Sequence, residues 1–213
     1  VATVQFAQWL PEVMPLVTGC PEPLAVNAVR NAAIDFCSTT LWWQDDYGPV
    51  DIDAVQPYSF VLPPDVDVVQ IMSARLANRG YPLSITGLQE LDNRVWNWRA
   101  ATGEPRAIYQ PRPGRVATYP VPEGGSVYSV MFRLALVPLR TAVTVTDDLY
   151  DMYLPEIAAG ALEILLGMEN QPWANPGMAG RYGSDFRSAL ITGATETAKS
   201  YGRQNQRVQM RHG

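Results

Sequence analysis

The stretch that most limits how this chain can fold is the corner Asn170-Gln171-Pro172-Trp173-Ala174-Asn175-Pro176. Helical patterns lie on both sides of it. Before it, LYDMYLPEIAAGALEILLGM repeats Ile157, Ala161, Leu162, Leu165 and Leu166 at helical spacing. Pro155 fits that helix only in its first turn, where a missing N–H costs nothing. After the corner, Asn175 is placed to cap a second helix and Pro176 suits its first position. That helix puts Met178, Tyr182, Phe186, Ala189, Leu190 and Gly193 on one side and turns Arg181, Asp185, Arg187 and Glu196 away. Gly177, Gly180, Gly183 and Gly193 each cost about 1 kcal/mol relative to alanine. Packing must therefore hold the helix, against neighbours within the chain or from another subunit. Trp173, Tyr182 and Phe186 are its candidate interface residues.

The rest of the chain arranges itself around this pair. Phe6, Trp9, Leu10 and Val13 line a short helix that ends near Pro15. CPEPLAVNAVRNAAIDFCSTTLWW reads as a long helix with Pro21 and Pro23 at its start. Its buried stripe is Val26, Val29, Ala33, Phe36, Cys37 and Leu41, and Ala25, Ala28, Ala32 and Ala33 permit close helix approach. From Tyr47 onward, prolines and aspartates mark loops and the apolar runs shorten. Strands are expected at 58–63, 67–76, 106–110, 114–120 and 126–138. In the last, Tyr128, Val130, Phe132, Leu134 and Leu136 share one face. Glu123-Gly124-Gly125 reads as a hairpin turn joining the final two strands. Thr86 is placed to cap a short helix in TGLQELDNRV, and Trp96, Trp98 and Tyr109 form a satellite aromatic cluster. The class is α+β, with helices from residues 1–49 and 140–202 and a β-rich insertion over 50–139. The tail, 203–213, has no apolar face at helical spacing.

Composition narrows the function by exclusion. His212 is the only histidine in the chain, so no Ser-His-Asp triad, Cys-His pair or histidine metal centre is available. Cys20 and Cys37 cannot make a zinc site without it, and free thiols are expected in preference to a disulfide. No apolar run approaches the roughly 18–20 residues that span a bilayer, so no membrane partner is expected. Gly177, Gly180 and Gly183 lie within a helix and lack the strand and lysine of a phosphate loop. Asp45-Asp46 and Asp147-Asp148 are read as solvated loop acids and helix-start charges, and neither has metal-binding spacing. No catalytic residue, metal or cofactor is assigned.

Charge is unevenly spread. Residues 1–180 hold 10 basic and 19 acidic side chains, whereas residues 181–213 hold 6 basic and 2 acidic. No basic residue lies between Arg30 and Arg75, yet Asp35, Asp45, Asp46, Asp51, Asp53, Asp65 and Asp67 all do. An acidic middle and a basic end suit self-association or docking on an acidic partner. A nucleic-acid binder using the tail is disfavoured by a pI of about 4.9. An enzyme class compatible with the sequence is a cell-wall glycan hydrolase using paired carboxylates.

Three blocks carry a family resemblance. GCPEPLAVNAVRNAAIDFCSTTLWW resembles the first long helix of the adaptor, or head-to-tail connector, proteins of short-tailed bacteriophages. VWNWRAATGEPRAIYQ with GRVATYPVP is similar to their mid-chain β portion. LPEIAAGALEILLGMENQPWANPGMAGRYGSDF resembles their C-terminal helix pair. The resemblance implies a helical bundle with a β-rich insertion and an extended C-terminal arm. It implies a structural virion protein of the neck, assembled in the host cytoplasm. Such subunits form a ring, usually dodecameric, which joins the portal protein to the tail nozzle, offers a platform to tail fibres and extends the channel for packaged DNA. By the same resemblance 203–213 is the portal-binding arm, with Arg203, Arg207 and Arg211 as its contacts.

Overall fold

The computed structural model describes residues 2–78, 80–112 and 114–199. The chain opens with strand β1 (Thr3–Gln5) and one helical turn, α1 (Leu10–Val13), set between 3-10 turns at Phe6–Trp9 and Met14–Leu16. Helix α2 (Glu22–Thr40) follows, then strands β2 (Gln44–Ile52), β3 (Tyr58–Ser59), β4 (Val66–Leu76) and β5 (Pro82–Ile85). A short helix, α3 (Leu88–Arg94), precedes β6 (Ala107–Arg112), β7 (Arg115–Tyr119) and β8 (Tyr128–Pro138). Strand β9 (Thr144–Thr146) runs straight into α4 (Asp147–Leu166), and α5 (Pro176–Ala198) follows the corner. Helices towards both ends and a β-rich middle agree with the α+β reading. Arg203, Arg207 and Arg211 lie outside the described residues.

Small residues set the helix packing. Helices α2, α4 and α5 contact one another pairwise. The buried line of α2 is Ala25, Ala28, Val29, Ala32, Ala33, Phe36 and Cys37. Val26 and Leu41, expected in that line, are only half-buried. Leu41 instead ends the helix in the left-handed region, with φ of 52°. Gly160 of α4 sits where a Cβ would lie 2.9 Å from the Ala32 Cβ and 3.0 Å from the Phe186 ring. A Cβ on Gly193 would meet the Thr40 Cγ2 at 3.1 Å. These two glycines therefore repay their propensity cost in helix approach. Gly177 and Gly180 have no such contact from another helix.

The corner folds as its residues dictate. The Asn175 side chain accepts a hydrogen bond from the Met178 N–H at 3.1 Å, and the Asn175 N–H donates back to the Leu166 carbonyl at 2.9 Å. Pro176 occupies the first turn of α5. Pro155 meets its first-turn requirement by way of a break: α4 begins at Asp147, eight residues before the proline, but it is not continuous. Tyr153, with φ of −131° and ψ of 25°, breaks the helix two residues earlier. Pro155 thus occupies the first turn of a restarted helix, where its missing N–H has no partner to lose.

Among the described residues the strands form two sheets. Strands β1 and β9 pair antiparallel with each other, and the larger sheet has the order β2-β8-β4-β5-β6-β7-β3. Tyr128, Val130, Phe132, Leu134 and Leu136 of β8 share one face, as expected, and all but Tyr128 are buried. Several expectations fail here. β2 occupies a stretch partly read as loop, because pairing with β8 outweighs its Asp, Gly and Pro content. Its register shifts between Tyr47 and Val50, and this bulge on an edge strand is where Pro49 is tolerated. Gly48 is required there, since a Cβ would lie 2.8 Å from the Val130 carbonyl. Only Tyr58–Ser59 of the 58–63 strand pairs.

The 123–125 turn is real, with the Ser126 N–H donating to the Glu123 carbonyl at 2.9 Å, but it makes no hairpin. β7 pairs with β6 and β3, whereas β8 pairs with β2 and β4. A turn reverses the chain without choosing its partner. Gly87, not Thr86, precedes α3, and the Thr86 hydroxyl donates to the Glu90 carboxylate at 3.0 Å. Two clusters of buried side chains result. One joins Phe6, Trp9, Phe36, Ile157, Leu165 and Phe186; the other joins Ile52, Ile71, Ile108, Phe132 and Leu134 across the large sheet. Cys20 and Cys37 are both buried and free, and burial pushes the Cys37 thiol up to about 12.

Candidate functional site

The candidate interface residues are divided by their surroundings. Phe186 is 4% exposed and belongs to the first core cluster. It supports the helices from inside and presents nothing to a partner in this conformation. Trp173 is half-buried against the same cluster, and its indole Nε1 is enclosed without an acceptor. Tyr182 lines a groove of about 490 Å³ between α4 and α5, together with Tyr153, Glu156 and Asp185. The groove therefore has acidic walls.

The satellite aromatic cluster keeps Trp98 and Tyr109, edge-on with centroids 5.2 Å apart, and adds Tyr119 at 6.4 Å. Trp96 is not in it; at 95% exposure it stands free in solvent. Trp98 is pinned by polar contacts that spacing alone does not show. Its Nε1 donates to Asp92 Oδ1 at 2.8 Å, and Arg99 donates to the same oxygen at 2.7 Å. The Arg99 guanidinium also lies 4.4 Å from the centre of the Trp98 ring. The indole, and then the guanidinium, hold the Asp92 carboxyl below the usual carboxylate range. A depressed folded pKa stabilises the fold above the unfolded value of about 3.9, and that contribution disappears as pH falls through the lower folded value. In a near-UV circular dichroism titration, the Trp98 signal is expected to hold from neutrality to about pH 4 and change only below it. A midpoint above pH 4 contradicts the assignment.

Strand β2 carries the arrangement that the sequence conceals. Opposite residues on neighbouring strands share a face, and the pairs here are Asp45 with Leu134, Asp46 with Arg133 and Tyr47 with Phe132. Asp45 therefore lies on the face of Leu134 and Phe132, while Asp46 lies on the other. A cleft of about 580 Å³ opens over this inner face. Trp43, Asp45, Asp46, Tyr47, Leu134 and Leu136 line it, with residues 61–66, Asp65 among them, and the β1–β9 pair around its rim. The Tyr47 hydroxyl fixes one wall, accepting from the Val61 N–H at 2.8 Å and donating to the Val61 carbonyl at 3.1 Å. Asp65 fixes another, its carboxylate accepting from the Val143 N–H at 3.3 Å. Asp45 Oδ1 accepts from the Asp46 N–H at 2.9 Å, and no ion pair to it is present among the described residues. The alternation Trp43-x-Asp45-x-Tyr47 was the available signal, but a loop reading gives it no face.

Among the described residues, no group of His, Cys, Asp or Glu could hold a metal ion. Asp147 and Asp148 occupy the first turn of α4, where the helix dipole favours negative charge. The shifted carboxylates, Asp53 and Asp92, are both held down, Asp53 chiefly by the Tyr58 hydroxyl; a glycosidase acid requires the reverse. No helix among the described residues is long and apolar enough to cross a membrane. No curated protein matches the chain. A family model for the SU10 adaptor protein matches residues 3–209. That match spans the helices of both ends and the sheet between them, so the chain belongs to the SU10 adaptor protein family, structural adaptors of the bacteriophage virion.

Proposed function

We propose that copies of this chain close into a ring, dodecameric by its family resemblance, that joins the portal to the tail nozzle and extends the channel for DNA. The observation that carries this is the adaptor-family match over residues 3–209. Helices towards both ends form one unit around the β-rich 50–139 insertion, and tail fibres use the assembled ring as a platform. Tyr182 and the acidic groove beside it supply a subunit contact, and Trp173 supports the helix corner behind it. Exposed acids on the outer face of the sheet, Asp46 and Asp51, are suited to a channel wall past which phosphates slide without sticking.

Residues 203–213 act as the arm that engages the portal through Arg203, Arg207 and Arg211. Removing 203–213 is expected to weaken attachment to purified portal while the far-UV spectrum is retained. Added salt should weaken attachment of the intact protein more than that of the truncated one, because exposed charge pairs are screened. Mass measurement of the protein with and without portal reads both assembly and attachment. A truncated chain that joins portals and completes particles as well as the full chain removes this role from the arm.

A further inference from the structure

Two features of this chain carry charge that the fold does not use. The first is the end of the β6–β7 hairpin. Its register sets Arg112 directly opposite Arg115, so both side chains share one face with Cβ atoms about 5 Å apart. Both are exposed, and neither takes part in an ion pair among the described residues. Like charges in that position destabilise the strand pair unless an acid is brought to them. Asp67 flanks the hairpin, its Oδ1 4.0 Å from where a Cβ on Gly114 would lie. That oxygen accepts from the Val68 N–H at 2.7 Å, and the carboxylate pairs with neither arginine.

The second feature is the groove of about 490 Å³ between α4 and α5, where Glu156 and Asp185 stand among Tyr153, Tyr182, Ala159 and Ala189. Neither acid has an ion pair among the described residues, and Arg181, one turn before Asp185, pairs with neither. Asp185 is exposed, whereas Glu156 is half-buried with its Oε2 enclosed and accepting no hydrogen bond. A carboxylate oxygen withdrawn from water without a donor is costly, and a donor from outside relieves it. An arginine suits each part of this groove. Its guanidinium fork pairs with a carboxylate, and its flat face stacks on a tyrosine ring.

Hairpin and groove do not meet within one copy. Strands β6 and β7 pack on β5, β3 and α3, and none of their residues lines the groove. A projection and a recess on different surfaces of the same chain make a heterologous contact. Such a contact repeats from copy to copy and closes as a ring or runs on as a filament.

We propose that the α4–α5 groove of one copy receives the β6–β7 hairpin end of the next, Arg112 and Arg115 pairing with Glu156 and Asp185 beside Tyr182. This rests on the reading of the groove as a subunit contact in a ring, and names what fills it. The charges match in number and are opposite in sign. Their pairing offsets the repulsion on the hairpin and gives the Glu156 Oε2 its donor. Each copy offers one hairpin and one groove, so the contact has a direction.

The test reverses charge on each side of the contact in the full chain and reads particle mass by sedimentation, with and without purified portal. One variant carries Arg112→Glu and Arg115→Glu; the other carries Asp185→Arg and Glu156→Gln. Each alone is expected to need at least about tenfold more protein to assemble, because like charges then face each other. Mixed in equal amounts, the two should assemble again, since every hairpin meets a groove of opposite sign. Arg75→Glu with Arg106→Glu changes net charge as much as the hairpin variant, from other exposed positions, and should assemble like the parent. Thermal melts verify folding, and Asp185→Arg alone, on an exposed position of α5, replaces the groove pair if that pair disturbs the helices. A hairpin variant that assembles like the parent, or a mixture no better than its parts, overturns this contact and leaves the ring reading standing. A parent that stays monomeric with and without portal removes the ring reading itself, and this contact with it.

Discussion

Phe186→Ala is expected to lower stability by about 3–5 kcal/mol, the largest loss from any single side chain of α5. The ring is enclosed at the meeting of three helices, close to Gly160 of α4 and within the cluster that holds Phe36 and Leu165. Truncation removes its buried surface and leaves a cavity that neighbours as small as Gly160 and Ala32 cannot fill. For a chain of this size the midpoint of thermal unfolding should fall by roughly 10 °C or more. A variant that melts with the parent would mean that the ring is not seated in this core. Phe186 would then return to the role its spacing first suggested, a contact between subunits.

Gly160→Ala tests the same junction with the opposite sign of propensity. Alanine favours an isolated helix over glycine by about 1 kcal/mol, so a site with room would gain. Here the added methyl meets the Ala32 Cβ at 2.9 Å and the Phe186 ring at 3.0 Å. The Ala32 methyl is fixed to its backbone, so the helices must separate. A net loss of about 1–3 kcal/mol is expected, as for overpacking in general. Chemical denaturation of Gly160→Ala, Ala32→Gly and the pair reads the coupling: the double variant should be more stable than the sum of the two losses. Additive losses, or a stabilised single variant, refute close packing at this point.

What could be read from the sequence divides along the same physical line. The corner was legible because Asn175 and Pro176 act on their own backbone, and local chemistry needs no partner. The inner face of β8 was legible because alternation is a property of the strand itself. β2 was obscured because its Asp, Gly and Pro residues resist a strand locally, and only pairing with β8 across a bulge makes one. The position of Asp45 at the cleft depends on that pairing and was hidden with it. Phe186 shows the limit of periodicity. The pattern gave the side of α5 that is covered, but α2 and α4 do the covering, and spacing cannot distinguish them from a neighbouring copy. Trp96 and Trp98 are two residues apart, yet one stands in water and the other is held by Asp92 and Arg99.

The first core cluster closes Phe6, Trp9 and Phe36 over Ile157, Leu165 and Phe186, so its two halves are separated in sequence by the whole of the large sheet. During synthesis the residues of the second cluster, Ile52 to Leu136, leave the ribosome as one unbroken run. Chains fold in units as they emerge. The sheet can thus take its shape while the apolar side of α2 is still waiting for α4 and α5. Every newborn copy passes through a stage in which Phe36, Val29 and the alanines of α2 have no cover. The emergence of α5 ends that exposure.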